Sequence, residues 1–364
     1  MKIYIHETAG WPIIKYDESV VYTPLKLFYQ AQGRLFGKLD ALGFDVQNDL
    51  LLNTMSDEVV TSSEIEGESL NRSSVRSSVA KRLGMKDAGV SDIDTRHYTE
   101  GVVDMALDAT QNFIKPVTDE RLFSWHAALF PTGRSGIRTI TVGAYRTNEM
   151  SIVSGAIGKE KVHYKAPAPE RIPDEMKRFL EWLDEKQEID TYVKAGIAHL
   201  WFESIHPFDD GNGRIGRAIA DLMLARSENS SKRFYSLSSQ FLEERTSYYN
   251  ELETAQSYTG GIERWVVWFI SCLTRAVEAS EEKLEKARQK ALFFDKLRST
   301  TMNERQVSML NRLFEGFEGK LTTAKWAKLC KCSHDTALRD IDDLINKGVL
   351  KRSTEGGRST SYVI

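Results

Sequence analysis

Twelve residues in the middle of the chain, HPFDDGNGRIGR from His206 to Arg217, bring together a histidine, two aspartates, three glycines, an asparagine and two arginines. Gly211 and Gly213 permit positive backbone torsions and remove side chains, so consecutive N–H groups can point into one concavity. At a helix N-terminus such a nest binds anions, phosphate above all, through its N–H groups and the helix dipole. Arg214 and Arg217, three apart, add guanidinium forks suited to phosphate oxygens. Asp210 has the wrong sign for phosphate and suits Mg2+, which takes one or two carboxylates with waters and substrate phosphates. His206, with an ordinary pKa of about 6.5, completes the set as a general base. Each piece alone is commonplace: a structural histidine, a turn, a solvated arginine. Together they point to transfer chemistry on a nucleotide.

The flanking elements must present this loop. Apolar spacing predicts a helix up to about Ile205, Pro207 breaks it, and a new helix begins near Gly213, so the motif is a tight helix–loop–helix turn. Helical periodicity also runs through residues 22–43, 47–67 and 174–186. Strand signals are sparse. Between Gly143 and Lys165, MSIVSG and KVHYK alternate around a Gly-containing turn and read as a hairpin, which APAPERIP ends before another helix starts. Residues 278–297 read as one charged amphipathic helix, a link between modules.

A length of 364 residues suggests two or three domains. With 41% hydrophobic and 28% charged residues the composition is that of a soluble globular protein, and a net charge of −3 predicts no global attraction to nucleic acid or membranes. No stretch of about 18 apolar residues and no charged-then-apolar leader is found, so the expectation is no membrane contact and a cytoplasmic location. Three cysteines agree with that compartment. Cys330 and Cys332 lie too close for an ordinary disulfide or zinc knuckle, and with Cys272 they are expected to be buried thiols.

After Asn303 the character changes. Residues 304–364 hold 11 Lys+Arg against 8 Asp+Glu, so this tail is +3 and the remainder −6. Helix, helix, turn, then a helix with Ser333 as N-cap and Gly348 as stop, then VLKRS and TSYVI around TEGGRS, is the order of a winged helix-turn-helix. The second helix of such a pair would offer Ser333, His334, Asp335, Thr336 and Arg339 to DNA. Asp340, Asp342 and Asp343 weaken the electrostatic footprint, and such modules also serve in dimerisation or protein docking. DNA, a protein and a homo-oligomer all stay open.

HPFDDGNGRIGR resembles the signature of the Fic family, His-Pro-Phe-any-Asp/Glu-Gly-Asn-Gly-Arg-any-any-Arg, with every specified position filled. The resemblance covers about residues 50–280, and WPIIKYDESVVYTPL looks like the N-terminal extension of some bacterial members. It implies a mainly α fold, a Fic helical core with a β-hairpin flap, here followed by the C-terminal winged helix. It also implies transfer of AMP from ATP to a Ser, Thr or Tyr hydroxyl of a protein substrate, and of the chain itself. By position, His206 would deprotonate the target and Asp210 would hold Mg2+. Gly211, Asn212, Gly213, Arg214, Gly216 and Arg217 would contact the nucleotide, with Phe208 the apolar anchor of the loop. TSYYNELETAQ is similar to the family's adenine-side helix, which suggests Tyr249 and Gln256. Residues 161–166, with Val162, His163 and Tyr164, would dock an extended target segment by strand addition, unless the hairpin only stabilises the fold.

TSSEIEG, residues 61–67, resembles the family's inhibitory pattern Ser/Thr-any-any-any-Glu-Gly/Asn. Ser62 and Glu66 lie a turn apart on one helix face, and Gly67 can close the helix. The resemblance implies that Glu66 pairs with Arg217 in place of the γ-phosphate. The expected organisation is an N-terminal helical extension with the inhibitory helix over 1–95, a Fic catalytic domain over 96–277, a linker helix over 278–302 and the winged helix over 303–364. Transfer of UMP or phosphocholine, removal of AMP, and a DNA-binding regulator that senses nucleotide are the alternatives.

Overall fold

Several helices of this chain start where a side-chain oxygen satisfies a free N–H group, and the site is assembled around one buried helix. The structure, a computed structural model, describes residues 3–12, 16–85, 97–155, 159, 161–186, 188–257, 261–314, 317, 319–353 and 360–364. They form two compact units, Met1–Glu281 and Glu282–Ile364. Among the described residues no helix is long and apolar enough to cross a membrane.

The first unit runs α1 (Glu18–Asp40), α2 (Phe44–Ile65), α3 (Arg72–Arg82), α4 (His97–Gln111) and α5 (Asp119–Leu129), then two antiparallel hairpins. These are β1/β2 (Arg134–Ser135 and Arg138–Thr139) and β3/β4 (Ser151–Ser154 and Lys161–Lys165). After them come α6 (Ile172–Asp184), α7 (Thr191–Ile205), α8 (Asn212–Glu228), α9 (Leu237–Glu243), α10 (Arg245–Gln256) and α11 (Glu263–Lys296), which belongs to the first unit as far as Glu281. Asp17, Asn71, Thr118, Asp190 and Ser236 cap α1, α3, α5, α7 and α9 by accepting backbone N–H groups. The second hairpin follows the expectation, with register Ile152↔Tyr164 and Val153↔Val162, which leaves His163 as the extra residue of a bulge. Residues 156–158 and 160, in its turn, lie outside the described residues. The first hairpin has two residues per strand, too few to leave a period in the sequence.

Helix α7 is buried from Tyr192 to Ile205, as befits a segment apolar on every side. It packs most extensively on α8 and also touches α6 and α10. The N-terminal helices are tied to this core by polar bonds as well. Glu58 on α2 accepts from Ser236 Oγ (2.7 Å) and Ser238 N–H (3.0 Å), which fixes α2 against the start of α9.

In the second unit, α12 (Glu304–Phe314), α13 (Thr323–Leu329) and α14 (His334–Asn346) precede the short ladder β5/β6 (Lys351–Arg352 and Tyr362–Val363). Leu310, Trp326, Ile341, Leu344 and Leu350 centre its core. Ser333 caps α14, while His334, Asp335 and Arg339 are exposed. Asp340 is held by Arg305 (2.8 and 3.0 Å) and Asp343 by Lys347 (2.5 Å), so two of the acids that oppose a basic footprint are internally neutralised. The expected wing turn at 354–359, and residues 86–95 of the N-terminal extension, lie outside the described residues. One expectation is corrected: Cys272 is buried, but Cys330 and Cys332 are only half-buried, because Trp326 fills the core beneath the end of α13.

Helices α4 and α5 approach backbone to backbone at Gly101, where a Cβ would stand 1.9 Å from the Ala128 carbonyl oxygen. Gly101→Ala is therefore expected to lower the unfolding free energy by about 1–3 kcal/mol, the usual cost of overpacking. Urea titration checks this; an unchanged midpoint would mean that the two helices part without penalty.

Candidate active site

The loop between α7 and α8 begins with His206 in the left-handed region (φ 51°), its N–H donating to Phe202 O at 2.9 Å to close α7. Phe208 is fully buried and stacks on His126, with centroids 4.4 Å apart and planes 10° apart. Asn212 staples the turn, its Oδ1 accepting from Phe208 N–H (2.9 Å) and its Nδ2 donating to Phe208 O (2.8 Å). Gly211 (φ 79°) leaves room for the Phe130 ring, which a Cβ would meet at 2.8 Å.

Two residues that sequence reasoning missed hold the loop from outside. Arg146, almost wholly buried, donates to the carbonyls of His206 (2.8 Å), Asn148 (2.6 Å) and Pro167 (2.7 Å), and its backbone N–H donates to Pro207 O (2.9 Å). His126 Nδ1 accepts from Gly143 N–H (3.2 Å), so the ring proton sits on Nε2, which donates to Asp210 O (3.1 Å). Burial pushes the His126 pKa down and keeps that ring neutral. Nothing in the sequence around Arg146 singles it out, since its partners are backbone carbonyls brought from three places.

Arg214 and Arg217 of α8 are each 1% exposed, and each meets a carboxylate from the end of α2 or the turn after it. Arg217 Nη2 is 2.8 Å from Glu66 Oε1, while Arg217 also donates to Ser62 Oγ (2.9 Å) and Ser62 O (2.7 Å). Burial opposes the Arg217 charge, yet Glu66 foremost holds its pKa above the ordinary value. Arg214 Nη1 donates to Glu68 Oε2 (2.9 Å) and to Tyr98 Oη (2.5 Å), with its guanidinium 5.0 Å from the Phe130 ring centre. Burial raises the Glu68 pKa. Glu66 is the C-cap of α2, and Gly67 (φ 82°) makes the turn that brings Glu68 round beside it. A Cβ on Gly213 would lie 2.2 Å from Glu66 Oε1, so the carboxylate rests against the first turn of α8, where an anion would bind.

Asp210, with a side chain 43% exposed, accepts from Gly211 N–H (2.6 Å) and from the Ser135 hydroxyl. Among the described residues no three His, Cys, Asp or Glu side chains cluster to hold a metal. A single half-exposed carboxylate beside a phosphate-sized cradle nevertheless fits Mg2+, whose remaining ligands are commonly waters and substrate phosphates.

His206 Nδ1 faces the Glu203 carbonyl (3.4 Å), which can only accept, so that nitrogen carries the proton and Nε2 keeps its lone pair. Burial lowers the His206 pKa to about 4. Glu203 Oε2 stands 3.7 Å from the same Nδ1, but burial, with Glu66 adding to it, pushes the Glu203 pKa up to about 8. At neutral pH the two are a neutral pair rather than an ion pair. Glu203 was missed, although an acid inside the otherwise apolar WFESI was a legible signal.

A cavity of about 600 Å³ opens beside these groups, lined by Glu66, His206, Gly213, Tyr249 and Gln256 among others. Gln256 Nε2 donates to Glu203 O (3.1 Å), and Tyr249 is partly exposed. Two expectations are corrected. Gly216 faces α7, where a Cβ would meet Glu203 Oε1 at 2.5 Å, so its small size serves helix packing rather than nucleotide contact. Tyr164 is buried, its hydroxyl donating to Ser204 O (2.6 Å), so it anchors the hairpin and leaves exposed Val162 and half-buried His163 at the edge.

Comparisons with known proteins place this geometry. Residues 116–224 match the Fic/DOC family, and residues 4–85 match a domain of unknown function, DUF4172. The chain is similar to a probable protein adenylyltransferase of Aquifex aeolicus, 36% identical over 22% of this chain and 23% of that one. It is also similar to protein adenylyltransferase fic-1 of Caenorhabditis elegans, 37% identical over 16% of this chain and 12% of that one. The chain thus spans less than a quarter of the length of these relatives. The fold is similar to that of a Fic family protein from Desulfovibrio desulfuricans, with TM-score 0.57, 19% identity and 96% of each chain covered.

The protonation of Glu203 makes a stability prediction. A carboxyl whose pKa is about 8 when folded and about 4.3 when unfolded leaves the folded state holding the extra proton between those values. Its contribution is therefore full below the unfolded pKa and lost as pH rises to about 8. Glu203→Gln, which copies the protonated acid, is expected to gain stability relative to the parent across that window and to show a constant difference below it. Denaturant titrations from pH 4 to 8 measure this; a difference independent of pH would mean that the carboxyl is ionised in the folded protein.

Proposed function

On the premise that residues 116–224 make this chain a member of the Fic/DOC family, we propose that it is a protein adenylyltransferase held inactive by Glu66. It transfers AMP from ATP to a Ser, Thr or Tyr hydroxyl of a target protein and releases pyrophosphate. Residues 96–277 form the catalytic domain in this reading, and residues 1–95 carry the inhibitory helix. The observation that supports it most is the Glu66 carboxylate, 2.8 Å from Arg217 and pressed against Gly213 at the start of α8.

His206 takes the target proton on Nε2 as the hydroxyl oxygen attacks the α-phosphorus. The Glu203 carbonyl holds the other ring nitrogen protonated throughout. The N–H groups at Gly211, Asn212 and Gly213 receive phosphate charge, and Arg214 and Arg217 clamp the β- and γ-phosphates once Glu66 and Glu68 yield them. Asp210 would hold Mg2+, which when bound offsets phosphate charge. Tyr249 and Gln256 face the adenine side of the cavity, and the β4 edge with Val162 aligns an extended target segment.

Glu66→Gly is expected to switch on labelling of lysate proteins by α-labelled ATP, with the added change His206→Ala abolishing it. A charge-assisted bond is worth roughly 1.5–3 kcal/mol, so freeing Arg217 should raise productive ATP binding about 10- to 150-fold. Equal labelling by parent and Glu66→Gly would overturn the inhibitory role, and labelling by UTP or CDP-choline in place of ATP would change the donor.

Asp210→Ala, in the Glu66→Gly background, is expected to bind ATP equally well with and without Mg2+. Calorimetry at several Mg2+ concentrations decides this, and undiminished tightening by the ion would assign another ligand.

A further inference from the structure

Of the four residues of β3 and the five of β4, Tyr164 alone is buried, so one side chain seats the hairpin on the helical core. A two-stranded hairpin is marginally stable by itself and needs such a seat. Tyr164 Oη gives its single proton to Ser204 O at 2.6 Å, two residues before His206. His6 Nδ1 lies 3.0 Å from the same phenol oxygen, so that nitrogen carries the ring proton and donates it. The rings of Tyr4 and His6 also meet Tyr164 edge to face, with centroids 5.2 and 5.8 Å away. Most of what surrounds the seat of the hairpin thus comes from three residues near the start of the chain. His6 is itself buried, which lowers its pKa to about 4 and keeps the ring neutral at neutral pH.

The segment that carries His6 is tied down in turn. Arg171 Nη2 donates to His6 O (3.2 Å) and to Glu175 Oε1 (2.6 Å), and Trp11 Nε1 donates to Glu175 Oε2 (2.7 Å) on α6. The Trp11 ring meets Trp201 of α7 edge to face at 5.7 Å. A short stretch, Tyr4 to Trp11, therefore spans from the core helices to the inner face of β4. We propose that His6 is a positioning residue for the transfer, holding Tyr164, and with it β4, where an acceptor segment on the β4 edge meets His206. This rests on the adenylyl-transfer reading above, in which that edge docks the target. Tyr164 lines the cavity, whereas Tyr4, His6 and Trp11 are not among the described residues that do. Loss of His6 should therefore act on the acceptor and leave the nucleotide alone. Without its donor, the buried Tyr164 oxygen keeps one partner fewer, and states with the hairpin lifted become more populated. The N-terminal extension then bears on the site from two directions, with Glu66 on the nucleotide side and His6 on the acceptor side.

Two measurements on the full chain test this. Hydrogen exchange of the β3 and β4 amides should quicken about 5- to 30-fold in His6→Ala, the factor expected for one lost buried hydrogen bond. Tyr164→Phe, which keeps the ring, should quicken it as well, and His6→Asn, whose amide N–H can stand in for Nδ1–H, should restore the parent rate. In the Glu66→Gly background with Mg-ATP and a dialysed cell lysate as acceptor, His6→Ala should raise the lysate concentration that gives half-maximal labelling by a similar factor. ATP affinity by calorimetry should stay unchanged. Unchanged exchange in His6→Ala overturns the seat, and His6→Asn behaving like His6→Ala overturns the role of the bond. Faster exchange with an unchanged half-saturating lysate concentration, or with an equal loss of ATP affinity, overturns positioning in favour of plain structural support. If Glu66→Gly labels nothing, the transfer reading falls and the positioning role with it, while the exchange rates still report separately on the seat.

Discussion

The guanidinium of Arg217 is buried to 1% exposure in the first turns of α8, near the positive end of a helix dipole. Such a charge persists in the interior only with an anion beside it, and much of the surrounding architecture exists to supply one. The carboxylate comes from Glu66, at the C-terminal end of α2, and the turn at Gly67 delivers Glu68 to Arg214 from the same place. Among the described residues Arg217 Nη1 and Arg214 Nε still lack hydrogen-bond partners, so the pairing leaves donors for a larger anion. In the proposed function, a phosphate chain and this pair of carboxylates would be rivals for one set of forks.

That competition is meaningful only if the loop itself does not move. His206 holds a left-handed torsion that a non-glycine residue adopts at a cost of about 1–3 kcal/mol. The Arg146 bonds to the His206 and Pro207 carbonyls, the Asn212 staple and the Phe208–His126 stack fix it there. The imidazole is thereby presented on rigid elements, while Glu66 and Glu68, which in the proposed function would yield to phosphate, sit at a helix end and the turn after it.

Burial sets the protonation of the same region. Partial burial lowers the His206 pKa to about 4, so the ring is neutral at neutral pH and keeps a lone pair available. Glu203 keeps its proton because burial and the nearby Glu66 both disfavour its charge. A carboxyl three residues before the histidine thus stays protonated and forms no ion pair with it, which leaves the imidazole neutral and able to accept a proton.

Much of this was legible in order along the chain. The 206–217 motif, the helices around it, the second hairpin and the Ser62–Glu66–Gly67 helix end all lie in local sequence, because caps, prolines, glycines and apolar spacing act over a few residues. What the sequence could not place were residues whose partners are distant: Arg146 bonds to carbonyls of His206, Asn148 and Pro167, His126 to the backbone of Gly143 and Asp210, and Ser154 reaches Glu253 through His163. Local spacing likewise could not show that Gly216 faces a helix rather than a ligand, or that Tyr164 turns inward, since both depend on which side of an element meets α7. The sequence by itself determined which chemical groups stand on one loop and which helix ends beside a glutamate. Tertiary packing decided which of those groups are dry, because desolvation depends on neighbours from the whole chain, and dryness sets the charge and the partners of Arg217, His206 and Glu203.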